Sequence, residues 1–113
     1  MPTSVRKQGN VAIVELEGKL ALGTPVDDFR TTWSDCLSTG CKNIVVILTR
    51  VPMVDSSGIG GLIRCHSALA AVGGKLKLVG INSTVRQSFK ATRLDTVFEV
   101  HDTEASALSS FPA

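Results

Sequence analysis

The chain has 113 residues, of which 43% are hydrophobic and 19% are charged, a composition that predicts one folded domain over residues 1–113 and excludes wholesale disorder. Its longest apolar run, residues 44–48, is far shorter than the ~20 residues of a membrane span, and residues 1–7 lack the apolar segment of a signal peptide. The net charge is only +2, the basic residues are scattered, and 4% of the residues are aromatic. We therefore expect a cytoplasmic protein that binds neither a membrane nor, directly, nucleic acid.

The cysteines and histidines do not form a recognisable site. Cys36, Cys41 and Cys65 are an odd number and lack the C-x-x-C spacing of a zinc site or redox pair. They predict buried thiols in a reducing compartment. His66 and His101 stand alone in the sequence, so neither a metal nor another cofactor is expected.

Hydrophobic periodicity predicts strands that alternate with helices. The first helix has Thr24 as a capping residue, Pro25 in its first turn and Gly40 at its end. The predicted elements, in chain order, are a hairpin over residues 4–8 and 11–17, a helix from Thr24 to Gly40, a strand over 43–48, a helix over 57–72, a strand over 75–80, a short helix capped by Ser83, a strand over 97–100, and a helix from Asp102 or Thr103 to Ser110. This order, ββαβαβαβα, predicts an α/β fold with a largely parallel sheet and an antiparallel edge.

The densest polar and glycine-rich stretch, residues 55–61, follows the central strand and opens the next helix. Sites in α/β domains commonly lie at such a junction. A hydroxyl there could carry a phosphate, because the first helical turn has free N–H groups and a positive end. The same pattern is also typical of a simple helix cap formed by Asp55, Ser56 or Ser57.

Enzyme motifs do not accompany these serines. The chain lacks the G-x-S-x-G pattern of a nucleophile elbow and the G-x-x-x-x-G-K-[ST] pattern of a phosphate-binding loop. His66 lies well beyond the first turn of the predicted helix, and His101 ends the last strand. We therefore do not expect an enzyme, although a small serine-dependent enzyme or a nucleotide binder stays as a less favoured interpretation.

Residues 54–60, V-D-S-S-G-I-G, resemble the STAS domain of bacterial anti-sigma factor antagonists. The resemblance extends over nearly the whole chain. Further matching segments are G-K-L at residues 18–20, the apolar strand at 44–48, G-G-K-L at 73–76 and V-R-Q-S-F at 85–89. It implies a single STAS-like domain with helices packed mainly on one face of a mixed, mainly parallel sheet.

The resemblance also implies a function. Family members of this type are phosphorylated on the first serine of the motif, here Ser56, by a partner that is both an anti-sigma factor and a serine kinase of the histidine-kinase-like ATPase type. The unphosphorylated form binds this partner and frees a sigma factor. We expect partner contacts from the loop and first helical turns, and a homodimer is left open. The residues expected in partner binding are Met53, Asp55, Ser57, Gly58, Ile59 and Leu62.

Three positions depart from the family pattern. Ala21 and Ile47 stand where many members have acidic or polar residues, so we expect a more apolar floor around Ser56. Arg93 stands where a glycine often ends a helix. An alternative function is therefore a STAS scaffold or adaptor in a signalling complex, in which Ser56 is not modified.

Overall fold

The structure, a computed structural model, describes residues 3–112. Its elements follow the predicted order, with one additional turn of 3₁₀ helix before the last strand. Their bounds are β1 (Thr3–Gln8), β2 (Val11–Glu17), α1 (Thr24–Ser38), β3 (Asn43–Arg50), α2 (Ser56–Ala70), β4 (Lys75–Val79), α3 (Ser83–Ala91), the 3₁₀ turn (Leu94–Thr96), β5 (Glu99–His101) and α4 (Glu104–Ser109).

The five strands lie side by side in chain order. Strand β1 pairs antiparallel with β2, and every later pair is parallel. Parallel neighbours need right-handed crossovers, and each crossover here steps in the same direction across the sheet. Helices α1, α2 and α3 therefore pack on one face. The predicted fold class, including this one-sided arrangement, is confirmed.

The main core lies between that face and the three helices. Helix α1 contributes Phe29 and Trp33, helix α2 contributes Leu62 and Leu69, and helix α3 contributes Phe89. The strands supply the alternate side chains of β2, β3 and β4: Ala12, Val14, Leu16, Ile44, Val46, Leu48, Leu76 and Leu78. Because β3 is central, its side chains are buried on both faces, as its unbroken apolar run predicts.

The opposite face is covered by helix α4 and the residues after it. Ala107, Leu108 and Phe111 pack on a second apolar cluster formed by Val11, Ile13, Val45, Ile47 and Val79. Lys77 also lies beneath this segment. Its side chain is only 3% exposed, although it carries a charge. Its Nζ atom lies 3.0 Å from Glu99 Oε2 and 2.5 Å from Ser110 Oγ.

Several helix ends differ from the prediction by one residue or more. Gly23, with φ 102°, precedes α1 in place of a Thr24 side-chain cap. Asn82, not Ser83, caps α3 by accepting a hydrogen bond from the Val85 N–H at 2.8 Å. Thr103 caps α4, as one of the two predicted alternatives. The capping residue is the one whose side chain reaches the free N–H groups of the first turn. The direction of the backbone before the helix decides which residue that is, so a sequence prediction of the cap can be wrong by one residue.

The cysteines are buried and unpaired, as predicted. Burial raises the pKa of the Cys65 thiol to about 12, so this thiol stays protonated and unreactive at neutral pH. Within residues 3–112, no helix has the length and apolar character needed to cross a bilayer.

Candidate functional site

The candidate site is the junction between the loop after β3 and the start of α2. Asp55 is the N-cap residue of α2, with φ −86° and ψ −177°. Its Oδ1 atom accepts a hydrogen bond from the Gly58 N–H at 2.8 Å. The sequence left three capping candidates, and the structure selects Asp55. Ser56 is consequently the first residue of α2 and is exposed to solvent, whereas Ser57 is half-buried.

The second carboxylate oxygen of Asp55 ties this junction to another loop. Asp55 Oδ2 accepts a hydrogen bond from the backbone N–H of Leu22 at 3.0 Å. The hydrogen bonds from Leu22 and then Gly58 hold the pKa of Asp55 below its usual range, because they favour the charged carboxylate. Asp55 is therefore an ionised positioning group that fixes the loop at residues 20–22 beside Ser56.

Backbone contacts bring the same two loops together. The Leu20 N–H donates to Met53 O at 3.1 Å, and the Asp55 N–H donates to Leu20 O at 3.2 Å. Helix α2 packs closely against these two loops at Gly58. A Cβ atom at this position would lie 2.2 Å from Leu20 O and 2.7 Å from Val54 Cγ1. Only glycine fits at position 58.

The three glycines of the motif thus have different tasks. Gly58 permits the close approach of the loop, and Gly61 faces α1, since its Cβ position lies 3.6 Å from Val26 Cγ1. Gly60 lies on the outer side of α2, where only the Arg64 guanidinium is near.

The predicted partner-binding residues are divided between surface and core. Met53 is half-buried, and Gly58 is buried. Ile59 is 9% exposed, and Leu62 has no exposed surface, because both pack in the main core. The structure therefore places Leu62 away from the surface that we predicted for it. No observation of a complex tests these contacts, and the binding roles stay predictions.

Sequence reasoning missed two exposed apolar residues, one in the loop that is hydrogen-bonded to Asp55 and one on the outer side of α2. Leu22 is 79% exposed, although its backbone is held by Asp55. Ile63, on α2, is 38% exposed. Residues 56, 60 and 63 recur at helical spacing and so share one side of α2. The signal for Leu22 was a lone leucine in a loop between Ala21 and Gly23, which periodicity does not evaluate.

The predicted apolar floor is only partly present. Ala21 is half-buried in the loop beside Leu22. Ile47 instead belongs to the cluster under α4, on the opposite face of the sheet from α2. A polar residue at position 47 would therefore not face Ser56.

The two histidines lie in other environments. His66, on α2, packs edge-on against Phe98 with ring centroids 6.0 Å apart. His101 lies in β5 and contacts Glu99 through Nε2 at 2.5 Å and Ser106 through Nδ1 at 2.7 Å. Within residues 3–112, no group of three or more His, Cys, Asp or Glu side chains could hold a metal ion.

A comparison with protein families decides the family of this chain. The model of the STAS domain matches residues 3–107, which include every strand and the predicted site. The chain belongs to the STAS domain family. One relative of this STAS domain is a Paenibacillus polymyxa protein named as an anti-sigma F factor antagonist. The two sequences are 27% identical over 100 residues, a match that covers 88% of this chain and 85% of that protein.

Solved structures share the same fold. A candidate anti-sigma factor antagonist from Thermotoga maritima superimposes with a TM-score of 0.88 at 22% identity, over 95% of this chain and 92% of that one. The anti-sigma factor antagonist SpoIIAA in its unphosphorylated form gives 0.77 at 23% identity, over 96% of both chains. The phosphorylated form of the Bacillus SpoIIAA gives 0.75 at 24% identity, over 96% of this chain and 97% of that one.

Proposed function

We propose that this STAS domain is an anti-sigma factor antagonist whose binding to an anti-sigma factor is controlled by phosphorylation of Ser56. The observation that carries the proposal is the exposure of Ser56 at the first position of α2, on a junction fixed by Asp55 and Gly58. It is supported by a relative named as an antagonist and by SpoIIAA, which is known in unphosphorylated and phosphorylated forms.

The partner is proposed to be an anti-sigma factor that is also a serine kinase of the histidine-kinase-like ATPase type. Such a kinase must reach a hydroxyl group without unfolding its substrate. Ser56 meets that need, whereas the half-buried Ser57 meets it less well.

A phosphate at Ser56 would alter recognition through charge. It adds about −1.5 to −2 charges at neutral pH. In a closely packed complex this charge must lose its hydration water. That loss weakens binding unless a cation of the partner forms an ion pair with the phosphate. The helix N-terminus tolerates an anion, so the isolated domain stays folded. The unphosphorylated form is thus the form that binds.

The binding surface proposed here consists of Leu22, Ser56 and Ile63. The backbone of Leu22 is held by Asp55, so its exposed side chain can enter a partner's pocket without the further cost of ordering the loop. Ile59 and Leu62 support this surface from the core, since they are buried beneath it.

The experiment is incubation with the kinase and ATP, followed by intact mass measurement and peptide mapping. Wild type and Ser57→Ala should each gain one phosphate, and Ser56→Ala should gain none. Ser57→Ala is the matched control because it changes the adjacent hydroxyl. Phosphate mapped to Ser57, or no phosphate from a kinase that is active on another substrate, would contradict the proposal.

A STAS scaffold that binds a partner without modification of Ser56 is the second candidate. The exposure of Leu22 favours the scaffold function, because an apolar side chain can bind a partner whether or not Ser56 is phosphorylated. The two candidates differ in one result: a scaffold binds its partner equally well whether or not Ser56 carries a negative charge.

A further inference from the structure

We propose that the free edge of β5 binds an extended, acidic segment of a partner protein, which adds a strand to the sheet. The surface, here named the β5 groove, consists of the outer edge of this strand and the cavity beside it. The cavity has a volume of about 310 Å³ and is lined from the residue after β4, from α3, from the 3₁₀ turn and from β5 itself. This role goes beyond the proposed control by Ser56 and does not depend on it.

The outer edge of β5 carries backbone groups that the sheet leaves unpaired. β5 is the last strand of the sheet, and within residues 3–112 no strand pairs with its outer side. On its inner side the Gly80 N–H donates to His101 O at 2.9 Å, which fixes the register of hydrogen bonds to β4. Because alternate residues of a strand bond to opposite sides, Glu99 and His101 face β4, whereas the N–H and C=O of Val100 point outward.

Beside this edge, the cavity has an apolar floor. Phe98 and Val100 pack with the main core, on the face of the sheet that α1, α2 and α3 cover. The buried rings of Phe98 and Phe89 lie against each other with centroids 5.3 Å apart. A strand added to β5 would place every second side chain on this same face. An apolar side chain of the added strand would therefore lie over the cavity.

The rim of the cavity is basic. Arg86 and Lys90 are exposed on α3 and lie four residues apart, so they share one side of the helix. Among the described residues, neither forms an ion pair with a carboxylate. Asp95 is the one acid in the lining, since Glu99 points to the opposite face and pairs with Lys77. The β5 groove therefore attracts acidic side chains next to the apolar one.

The edge, the cavity and the charges must act together. β5 has only three residues, so it offers few main-chain hydrogen bonds. In strand addition, main-chain bonds supply affinity, and pockets for alternate side chains supply specificity. The groove also adjoins the candidate site, because Asn82 Nδ2 at the start of α3 donates to Pro52 O at 3.1 Å. A protein that covers Ser56 can therefore reach the groove as well, which favours a protein segment as the occupant.

The test uses a capped peptide, T-E-T-V-T-E-T, which as a strand carries valine between two glutamates on one face. Its binding is followed in ¹H–¹⁵N NMR spectra of the unmodified domain, so no kinase is involved. The Val100 N–H resonance should move, and its hydrogen should exchange more slowly with solvent, because the N–H gains an acceptor. The peptide of opposite charge, T-K-T-V-T-K-T, should bind at least about tenfold more weakly.

Charge reversal on the protein completes the test. Arg86→Glu combined with Lys90→Glu should exchange the preference between the two peptides. The control, Arg30→Glu combined with Arg64→Glu, reverses exposed cations on α1 and α2 and should keep the wild-type preference. Circular dichroism verifies that both variants are folded.

Three results would overturn the proposal. The first is no binding of the acidic peptide to wild type, or equal binding of both peptides. The second is binding that leaves Val100 unchanged. The third is a dimer of the free domain in which the Val100 N–H is already protected, because the edge would then belong to a second copy. A kinase that fails to modify Ser56 would contradict the proposed function and leave the peptide result unaffected.

Discussion

Gly58 and Gly60 differ in what a methyl group would meet. At position 58 it would overlap Leu20 O, whereas at position 60 it would meet only the flexible end of Arg64 at 3.5 Å. Gly58→Ala should therefore destabilise the domain by about 1–3 kcal/mol, because the loop or the helix must shift. Gly60→Ala should stabilise it by about 0.5–1 kcal/mol through higher helix propensity. Urea denaturation of both variants checks the pair, and a loss of stability in both would contradict the distinction.

Arg93 is a second residue whose backbone conformation determines how its substitution changes the stability of the domain. It has φ 60° and ψ 25°, the left-handed conformation that a glycine adopts without strain, as the departure from the family pattern predicted. Arg93→Gly should raise the free energy of unfolding by about 0.5–1 kcal/mol. The control, Arg86→Gly inside α3, should lower it by about 1 kcal/mol. Thermal unfolding of the two variants should thus shift in opposite directions.

Leu22 is the residue on which the binding surface depends most. Leu22→Ala removes exposed apolar surface without changing the backbone, so the melting temperature should stay near that of wild type. Binding to the anti-sigma factor should weaken at least about tenfold, equivalent to ~1.4 kcal/mol. Val72→Ala, which truncates another exposed side chain just beyond the far end of α2, is the control and should bind as wild type does. Equal affinity for all three proteins would remove Leu22 from the interface.

Helix α4 is attached to the sheet by polar contacts as well as by its apolar side. Glu99 Oε2 receives hydrogen bonds from His101 at 2.5 Å and from Ser110 at 3.2 Å, and it pairs with the buried Lys77. The ring of Phe111 lies 4.2 Å from Lys77 Nζ. These contacts, with His101 as the first cause and Lys77 among the others, hold the pKa of Glu99 below its usual range.

Glu99→Gln tests this attachment. It removes the carboxylate that pairs with Lys77, so at pH 7 it should destabilise the domain by about 1–2 kcal/mol, less than for a fully buried pair because Glu99 is 47% exposed. A lowered folded-state pKa stabilises the fold above the unfolded value of about 4.3, and this stabilisation is lost as the pH falls through the folded value. Denaturation between pH 7 and pH 3 should therefore show the gap between wild type and variant closing.

The control for that measurement is Glu17→Gln. Glu17 lies 3.6 Å from Arg50 in a pair whose side chains are both more than half exposed. Its removal should change stability little at any pH. A pH-independent gap for Glu99→Gln, or an equal effect of Glu17→Gln, would contradict the role assigned to Glu99.

At the scale of the whole molecule, the fold and the proposed switch are energetically separate. Ser56 lies outside the two apolar clusters, so a charge at this position acts on the surface alone. Ser56→Asp should leave the melting temperature almost unchanged, because a helix dipole gain of about 0.3–1 kcal/mol is offset by repulsion from Asp55.

Binding should respond differently to the same substitution. The added charge must lose water in the complex, so affinity for the anti-sigma factor should fall at least about tenfold. Ser56→Asn is the control of similar size without charge. Calorimetric titration of the three proteins measures the affinities, and wild-type affinity for Ser56→Asp would favour the scaffold function.

Much of the fold and part of the site could be predicted because the signals are local. The alternation of strands and helices follows from hydrophobic period, and the start of α2 follows from a capping residue that reaches an N–H three residues ahead. The same local signal predicts a helix start at residues 55–57 and leaves open which of these residues is the cap. The observed helix starts differ from the predicted ones where the capping residue depends on the direction of the backbone, as at Gly23 before α1 and Asn82 before α3.

The amino-acid sequence by itself determined the elements, their order, the family motif and the buried cysteines. Only the tertiary structure decided that Leu22 is exposed beside Ser56, that Gly58 is needed for loop contact, and that Lys77 is buried under α4. Each of these depends on partners distant in the chain: Leu22 meets Asp55 across 33 residues, and Lys77 meets Ser110 across the same separation. Hydrophobic periodicity shows to which side of its own helix or strand a side chain points. Its burial and contacts depend on which other element packs against that side.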